Sequence, residues 1–395
     1  MKTRTKRILL LSLCVALLVL CGTCAFAAKA TTTVVDHVVY QLVPERNKIP
    51  QHYDVVCFFD SEDAMQGVKK VTIPAQINGI PVTTVHNEFS RARVSYVNSE
   101  VEEIVLPDTI TNIGEYSFHN MKHLSKLDIP SSVTYLGRNA FLYCCGLESI
   151  TIPESVKTIG PGCFKVCKNL KTVDIQGNGL KKIDYAAFGR CASLQYIDLP
   201  ASLETIDGMA FFRSGLRLLR VPGGCTLESR ALMNAYKLKK VVFENRTTDA
   251  LPLNGFSIFA NCERLLKVYL PKQAPKYQLY PDVFSGCSRL KAVYRTDSIS
   301  AIWGNAFEGC DALTSLTIPA GVEKVNYNAF LNFTGIKKLR VLTTNASVFV
   351  DDAENGNCLE TLPDTCKVYV KTANMKRAVV DAGCKNTVIV KADLK

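Results

Sequence analysis

Histidine is scarce in this chain of 395 residues: there are five, and all lie between His37 and His123. No histidine falls at the repeat position that would place it against a cysteine, so we expect no cysteine–histidine nucleophile. The sequence has no glycine-rich phosphate loop. His119 and His123 are four residues apart, but no cysteine pair or carboxylate accompanies them, so we expect no metal site. These absences predict a protein that is not an enzyme and uses no cofactor.

Long apolar runs are absent after residue 27, so we expect no transmembrane segment. Residues 1–27 predict a secretory signal peptide, with a basic start, an apolar run from Ile8 to Leu20 and a small-x-small cleavage site ending at Ala27. Attachment of a lipid at a cysteine of this segment is the alternative. The chain is therefore expected to be secreted or held at the cell surface.

Disulfide bonds are not expected to be the main feature that stabilises the fold. Removing the predicted signal peptide leaves 16 − 3 = 13 cysteines, an odd number, unlike the even and dense set of a small disulfide-rich domain.

Removal of the signal peptide also leaves 47 − 4 = 43 Lys and Arg against 36 Asp and Glu, a net charge of +7. This modest charge bears on association rather than fold, and we expect no nucleic-acid partner.

The strongest pattern in the chain is a repeat with a period in the twenties. Leu124 to Leu147 reads LSKLDIPSSVTYLGRNAFLYCCGL, and the chain repeats this from Leu147 as LESITIPESVKTIGPGCFKVCKNL. A Phe-x-x-Cys signature recurs at Phe141–Cys144, Phe164–Cys167, Phe188–Cys191, Phe259–Cys262, Phe284–Cys287 and Phe307–Cys310. From Met121 the steps to Cys144, Cys167, Cys191 and Ser214 are 23, 23, 24 and 23 residues. Such a period indicates a solenoid.

Each repeat predicts two short extended segments. In the Leu-x-x-Leu-x-Ile run that ends at Ile129, apolar and polar positions alternate, which is typical of a strand. Pro130 ends this strand because proline has no N–H for a ladder. A second extended run leads to Gly137, which we expect to take a positive φ at a corner. One repeat exposes its whole apolar face, so successive repeats must stack to bury it.

The signature cysteines fall among the inward positions of this repeat. Neighbouring members are expected roughly 4.8 Å apart, which leaves a row of disulfides or a ladder of metal ligands open. Parallel stacking points their Cβ bonds in the same direction, however, and disulfide torsions disfavour that arrangement. We therefore predict free, buried thiols that pack as small hydrophobes.

The repeat L-x-x-I-x-I-P-x-x-V-x-x-I-G-x-x-A-F-x-x-C, over residues 69–345, resembles the BspA-type leucine-rich repeat of bacterial and protozoan surface proteins. The resemblance implies a β-rich member of the α/β repeat class, a right-handed leucine-rich-repeat solenoid. It places the Ile-x-Ile strands in a parallel sheet on one face and a cap at each end. It also implies an exported role in adhesion or in binding a host or neighbouring cell, which is an analogy at the level of the fold.

The predicted domain organisation is a signal peptide at 1–27, an N-terminal cap at 28–68, the solenoid at 69–345 and a C-terminal cap at 346–395. Short strands are expected in the N-terminal cap at Tyr40–Leu42 and Val55–Phe59. In the C-terminal cap we expect strands at Lys367–Val370 and Val388–Val390, with a helix at Asn374–Ala382 between them. Asn245–Phe256 and Lys272–Pro281 read as irregular insertions, which either specify binding or are tolerated at the surface.

The middle residue of each strand should point outward and build a repeated surface. The residues that we expect to bind a partner on this surface are Tyr196, Asp198, Arg220, Tyr269, Tyr294 and Arg340. Tyrosine and arginine carry much of the binding energy at interfaces, although each position alone also fits ordinary solvated surface. The expected partner is a protein or glycan outside the cell. The alternative is a structural component of the cell envelope that associates with itself, and the oligomeric state stays open.

Overall fold

A computed structural model describes residues 32–46, 48–57, 67–86, 99–245, 247–272, 274–349 and 358–394. The predicted signal peptide lies outside the described residues. The chain forms a β-rich solenoid of about 12 turns with little helix. In chain order its strands are β1 (Thr32–Val35), β2 (Val38–Val43), β3 (His52–Cys57), β4 (Lys70–Thr72), β5 (Gln76–Ile77), β6 (Ile80–Val85), β7 (Glu103–Val105), β8 (Asn112–Ile113), β9 (Lys126–Leu127), β10 (Tyr135–Leu136), β11 (Ser149–Ile152), β12 (Thr158–Ile159), β13 (Thr172–Ile175), β14 (Lys182–Ile183), β15 (Thr205–Ile206), β16 (Leu218–Val221), β17 (Thr226–Glu228), β18 (Lys240–Phe243), β19 (Leu253–Asn254), β20 (Lys267–Tyr269), β21 (Tyr277–Leu279), β22 (Ala292–Tyr294), β23 (Ile299–Ile302), β24 (Ser315–Ile318), β25 (Lys324–Val325), β26 (Lys338–Val341), β27 (Lys367–Val370) and β28 (Val388–Val390). A 3-10 helix at Ala346–Val348 and an α-helix, α1 (Ala373–Asp381), follow β26 and β27 respectively.

Two ladders of parallel strands run along the solenoid. The first-strand ladder holds the first strand of each repeat, in the hydrogen-bonded groups β4-β7-β9, β11-β13, β16-β18-β20-β22 and β24-β26-β27-β28. Within it Ile150 pairs with Val173, so equivalent positions of successive repeats are stacked. The second-strand ladder holds the second strands, in the groups β3-β6-β8-β10-β12-β14-β15-β17-β19 and β21-β23-β25. The predicted parallel sheet is confirmed, and the second extended run of each repeat forms a further ladder.

The N-terminal end of the second-strand ladder is an antiparallel meander. β1 pairs with β2, and β2 pairs with β3, both antiparallel. β3 then pairs in parallel with β6, so the meander joins the repeats through the same ladder. Tyr40 and Val55 are fully buried in the common hydrophobic core. The strands predicted at Tyr40–Leu42 and from Val55 are confirmed in β2 and β3, while Phe58 and Phe59 lie outside the described residues.

The C-terminal end extends the first-strand ladder. β26, β27 and β28 pair in parallel. α1 lies between β27 and β28, and the Thr372 hydroxyl accepts a hydrogen bond from Met375 N at 3.1 Å, which caps the helix. Met375 and Val379 are its buried residues. The predicted strand, helix and strand are confirmed, with the helix beginning and ending one residue earlier than expected.

The two stretches predicted as insertions contain second strands. β19 pairs with β17 and carries the fully buried Leu253. β21 pairs with β23, and its Tyr277 is only 1% exposed. The expectation of irregular structure throughout Asn245–Phe256 and Lys272–Pro281 is therefore wrong. These strands were missed because they stand at irregular distances from the neighbouring signature residues.

Phenylalanine rings of successive repeats stack along the core. The ring of Phe164 lies 4.9 Å from that of Phe141, with 9° between their planes, and 5.4 Å from that of Phe188. The column is interrupted after Phe211, where Leu232 takes the phenylalanine position and is also fully buried. It resumes from Phe259 to Phe330 with further stacked pairs. Stacked rings of this kind contribute roughly 0.5–1.5 kcal/mol per pair beyond their buried area.

The signature thiols link neighbouring turns. Sγ of Cys167 donates to the carbonyl oxygen of Phe141 at 3.1 Å, and Sγ of Cys191 donates to that of Phe164 at 3.1 Å. The equivalent bonds are made by Cys144, Cys262, Cys287 and Cys310. All six cysteines are free and fully buried, which confirms the prediction of free thiols. Each thiol thus donates an additional hydrogen bond to a buried carbonyl oxygen.

Gly137 does not have a positive φ, so the expectation of a left-handed corner there is wrong. The residue marks a close approach of two turns: a Cβ at Gly137 would lie 2.4 Å from the carbonyl carbon of Gly114. Positive φ values fall instead at Asn139 (53°) and Tyr143 (63°) in this turn. Glycine is therefore required at position 137 by packing of backbone against backbone.

Replacing Gly137 with alanine is expected to lower the free energy of unfolding by about 1–3 kcal/mol, because the methyl group must displace packed backbone. The measurement is urea denaturation followed by circular dichroism. Gly321→Ala is the matched control, since its Cβ would meet only the Asp297 carbonyl oxygen, at 3.7 Å. The control should change stability by less than about 0.5 kcal/mol. Equal stability of the two variants would contradict the close approach at Gly137.

Candidate partner-binding surface

The outward positions of β16, β18, β20 and β22 form one row on the first-strand ladder. Arg220 pairs with Val242, Val242 with Tyr269, and Tyr269 with Tyr294. Neighbouring strands are about 4.8 Å apart, so the row is roughly 15 Å long. The inward residue Val241 is fully buried, and side chains alternate along a strand, so this register directs the row away from the core.

A compact group of side chains, the tyrosine–cation cluster, stands at the end of this row. It consists of Lys240, Tyr269, Tyr294 and Arg295. The rings of Tyr269 and Tyr294 stack with centroids 4.6 Å apart and 17° between their planes. Lys240 Nζ lies 5.0 Å from the Tyr269 ring centroid, and Arg295 Cζ lies 5.8 Å from it. Arg295 Nη1 also donates to the Leu270 carbonyl oxygen at 3.4 Å, which ties the guanidinium to the backbone.

These contacts give the cluster a fixed shape before any partner arrives. Each cation over the Tyr269 ring contributes about 0.5–1 kcal/mol at an exposed site, and the stack limits the rotamers of both tyrosines. Tyr294 remains 40% exposed, so a partner can reach its ring and hydroxyl. Little conformational entropy is then lost on binding. The cluster offers aromatic faces, phenol hydroxyls and two cations for recognition.

Tyr196 and Asp198 lie nearer the N-terminus, in the turn that precedes β16. The structure assigns no strand to residues 195–200, although Arg217 N donates to the Gln195 carbonyl oxygen at 2.9 Å, which keeps the two turns in register. Tyr196 is 56% exposed and Asp198 is exposed, whereas Ile197 between them is buried. The predicted outward direction therefore holds at both residues. They lie one turn before Arg220 and three turns away from Tyr269, beyond the N-terminal end of the row.

Arg340 lies in a different strand group from the tyrosine–cation cluster. It pairs with Thr317 on one side and with Tyr369 on the other. Lys338 Nζ lies 4.8 Å from the Tyr369 ring centroid, and Lys391 Nζ lies 5.7 Å from it. Tyr369 was not among the predicted residues. Its signal is present in the sequence, because Lys367–Val370 has the alternation of a repeat strand with the tyrosine at the outward position.

A histidine cluster near the N-terminus was also not predicted from the sequence. His52 Nε2 lies 3.6 Å from Asp54 Oδ1, and His86 Nε2 lies 3.5 Å from Asp54 Oδ2. The pairing of β3 with β6 brings these side chains together, and residues 34 positions apart carry no local pattern that would reveal it. Across the described ranges there is no group of three or more histidine, cysteine or acidic side chains arranged to hold a metal.

The buried thiols are poorly suited to act as nucleophiles. Burial raises the pKa of the Cys262 thiol to about 12 and raises the pKa of Cys167 well above its ordinary value. A thiol with a raised pKa carries little thiolate at neutral pH and is a weak nucleophile.

Within the described part of the chain, no helix has the length and apolar character needed to cross a bilayer.

Comparison with known sequences gives one family match. The family described as the BspA type leucine rich repeat region matches residues 92–217 and 226–353, in six copies. Together these ranges cover more than half of the 395 residues. No curated protein of similar sequence is found.

Several solved structures of bacterial proteins are similar to this chain. A leucine-rich repeat protein from Bacteroides ovatus is 23% identical, with a TM-score of 0.47 over 90% of this chain and 99% of that one. The pneumococcal vaccine antigen PcpA is 18% identical, with a TM-score of 0.49 over 92% and 99% of the two chains. A leucine rich cell surface protein from Faecalibacterium prausnitzii is 22% identical, with a TM-score of 0.40 over 79% and 95%. These likenesses assign no role to any residue here.

Proposed function

This chain belongs to the BspA-type leucine-rich-repeat family, and we propose that it is an exported binding module that recognises a protein or glycan outside the cell. A leucine-rich-repeat scaffold of this kind is consistent with a protein-interaction module, since stacked repeats create an extended surface. The tyrosine–cation cluster is the observation that carries the proposal. It combines two stacked tyrosines with two cations on a rigid ladder, and tyrosine and arginine are the residue types enriched at interface hot spots.

Export and domain organisation are part of the same proposal. The basic, apolar and small-residue segments of residues 1–27 support a signal peptide cleaved near Ala27, and hence a secreted or surface-held protein that acts in adhesion. The proposed boundaries remain 28–68 for the N-terminal cap, 69–345 for the solenoid and 346–395 for the C-terminal cap. We propose no catalytic role, no cofactor and no nucleic-acid partner.

Simultaneous replacement of Tyr196, Arg220, Tyr269 and Tyr294 with alanine is expected to weaken binding at least about tenfold, or 1.4 kcal/mol. The probes are immobilised mucin, fibronectin, laminin and collagen, and the measurement is biolayer interferometry with the purified chain. The loss is expected in the dissociation rate, because truncating interface contacts mainly shortens the lifetime of a complex.

A double variant of exposed tyrosines elsewhere, Tyr143→Ala with Tyr185→Ala, is the matched control. These two side chains are 41% and 50% exposed and lie outside the first-strand ladder. The control should keep the affinity of the unchanged chain. Unchanged binding by the four-residue variant would show that the outward row is the wrong surface, and absence of binding to every probe would count against adhesion.

The alternative function is a self-associating component of the cell envelope. One feature favours it: β28 ends the order of its strand group, and its Val390 is 44% exposed. An exposed edge strand can pair with a second chain. Light scattering of the purified chain separates the two functions. Mass that rises with concentration would support self-association, and a monomer at all concentrations would count against it.

A further inference from the structure

The loop edge of the solenoid, where each Phe-x-x-Cys signature leads into the next repeat, has one short turn. Two residues normally separate the signature position from the next inward leucine, as between Cys191 and Leu194. Only Gly215 separates Ser214 from Leu216. The connection that contains Gly215 is therefore one residue shorter than the equivalent connection in the turn before it. The loop edge contains less polypeptide at this point.

The short turn is drawn in against the turn before it. Gly215 N donates to the Cys191 carbonyl oxygen at 3.0 Å, and a Cβ at Gly215 would lie 2.2 Å from the Ala192 carbonyl oxygen. Lys237 belongs to the turn after the short one, yet its Nζ donates to the Ala192 carbonyl oxygen at 3.2 Å. A side chain thus reaches past the short turn to the turn beyond. The loop edge is indented at Gly215.

An open recess of about 510 Å³ occupies this indentation, a volume in the range of sites for small ligands. Three cations, Lys168, Arg190 and Arg213, contribute to its lining, and so does Ala192. The rest of the lining is polar or aromatic, from Asn234, Tyr236, Asn261 and Glu263. The recess therefore combines an excess of positive charge with two amides, one carboxylate and one aromatic ring.

In the described part of the chain the three cations of this lining have no acidic partner. Among the described residues no carboxylate lies within 4.0 Å of Lys168, Arg190 or Arg213, and all three side chains are exposed. Arg190 N donates to the Phe212 carbonyl oxygen at 2.6 Å. This bond holds Arg190 and Arg213 in adjacent turns, about one strand spacing, 4.8 Å, apart. Arg213 Cζ also lies 5.3 Å from the centroid of the Phe212 ring.

Both arginines also occupy a strained backbone position. Arg190 has a φ of 62° and Arg213 a φ of 52°, in the left-handed region that costs most residues about 1–2 kcal/mol. Some other turns place asparagine or glycine at this position, as at Asn234, Asn261 and Gly286, which tolerate it better. In the two turns before Arg190 the same position holds Tyr143 and Val166, with φ values of 63° and 64°. The left-handed backbone is therefore a feature of these turns rather than of the arginines, and asparagine fits it at both positions.

We propose that this recess binds an acidic sugar unit of an anionic glycan, either carboxylated or sulfated. The forked guanidinium groups of Arg190 and Arg213 match the geometry of a carboxylate or sulfate. The amides of Asn234 and Asn261 both donate and accept, as sugar hydroxyls do. The Tyr236 ring, 39% exposed, supplies an amphipathic platform for the face of a sugar ring.

An acidic peptide fits the recess less well. Peptides are commonly held by the hydrogen bonds of a free strand edge or by apolar pockets for alternate side chains. The lining of this recess contains one aliphatic residue, Ala192, and comes from turns rather than from a strand edge. Glu263 provides an acceptor for neutral hydroxyl groups and repels a second acid, which favours a ligand with one charged end. This proposal rests on the proposed function, because it names the class of glycan that the chain would meet outside the cell. The recess lies apart from the tyrosine–cation cluster, so the two sites are tested by different residues.

The test is isothermal titration calorimetry of the full chain and of a double variant, Arg190→Asn with Arg213→Asn. Asparagine suits the left-handed backbone at both positions, so the variant should fold as well as the unchanged chain. The probes are a heparin tetrasaccharide with sulfates and carboxylates, a hyaluronan tetrasaccharide with carboxylates only, and neutral chitotetraose. The unchanged chain should bind at least one anionic probe about tenfold or more tightly than chitotetraose, and the double variant should lose about tenfold or more of that affinity.

A second double variant, Arg289→Asn with Arg377→Asn, is the matched control, because it removes the same charge at two exposed arginines elsewhere. It should bind as the unchanged chain does. Equal losses in both double variants would overturn the proposal, because binding would then follow net charge rather than the recess. Tighter binding of an aspartate-rich decapeptide than of any sugar, or no binding of either anionic probe, would also overturn it. Sulfated and carboxylated sources are distinguished by which tetrasaccharide binds.

Discussion

Raising the pH from about 7.5 to about 9.5 is expected to destabilise the folded chain by on the order of 10 kcal/mol, which is enough to unfold most domains. The cause is the set of buried thiols in the core. Seven fully buried cysteines have pKa values raised chiefly by desolvation, and they are Cys144, Cys163, Cys167, Cys191, Cys262, Cys287 and Cys310. An unfolded cysteine ionises near a pKa of about 8.5, so above this pH the unfolded state releases protons that the folded state keeps.

The direction of the effect follows from these raised pKa values. The stability due to the protonated thiols is fully present below about pH 8.5 and is lost as the pH rises through the window up to the folded pKa, about 12 for Cys262. Each thiol contributes a loss of about 1.4 kcal/mol per pH unit within the window. Burial also raises the pKa of Tyr40 and Tyr277, which adds to the same trend only above about pH 10.

The measurement is the free energy of unfolding by urea between about pH 7.5 and pH 9.5, with a phosphine reductant present throughout. A triple variant, Cys262→Ala, Cys287→Ala and Cys310→Ala, should reduce the total loss between about pH 7.5 and pH 9.5 by about 4 kcal/mol. Alanine already occupies the same position in the turn of Ala235, which is fully buried. Cys145→Ala is the control, because Cys145 is only partly buried and lies outside the column. A stability that stays constant up to pH 9.5 would contradict burial of the thiols.

Replacing Phe164 with alanine is expected to lower the free energy of unfolding by about 3–5 kcal/mol. The ring is fully buried and stacks on both neighbours, Phe141 and Phe188. Its removal loses the transfer free energy of the ring, two stacking contacts and the packing around a cavity. Because the adjacent turns are held in register by the parallel ladders, they cannot collapse far into the space.

Urea denaturation at neutral pH measures this loss. Phe164→Leu should cost less, about 1–1.5 kcal/mol, since Leu232 fills the equivalent position of its own turn. Tyr196→Ala removes a similar ring that is 56% exposed and should change stability by less than about 0.5 kcal/mol. If Phe164→Ala proved as mild as Tyr196→Ala, the phenylalanine column would not be a source of stability.

The sequence predicts the parts of this fold that repeat, because each repeat solves the same packing problem. The period, the inward cysteines and the strand before Pro130 all follow from alternation and spacing. Gly137 was misinterpreted because a glycine needed for close approach and one needed for positive φ look the same in a sequence. β19 and β21 were missed because their spacing departs from the period, although Leu253 and Tyr277 supply the inward residues.

The surfaces are less predictable than the core. Spacing places Tyr269 and Tyr294 at outward positions of successive repeats, but it does not reveal that their rings stack or that Lys240 and Arg295 approach them. The recess at Gly215 depends on a one-residue difference in turn length, which counting residues between signature and leucine can find. The exposed cations that line it become meaningful only once the turns are stacked, because partners are identified by distance in space.

Hydrogen–deuterium exchange of Phe164→Ala, compared with the unchanged chain, tests most directly whether neighbouring turns hold one another in shape. Exchange is expected to become faster in residues 118–144 and 188–214 as well as in the turn of Phe164, because the turns on both sides lose their support. Exchange in β28, many turns away, should stay unchanged. Faster exchange confined to residues 160–167 would show that each turn is stable without its neighbours and would contradict the stacked solenoid.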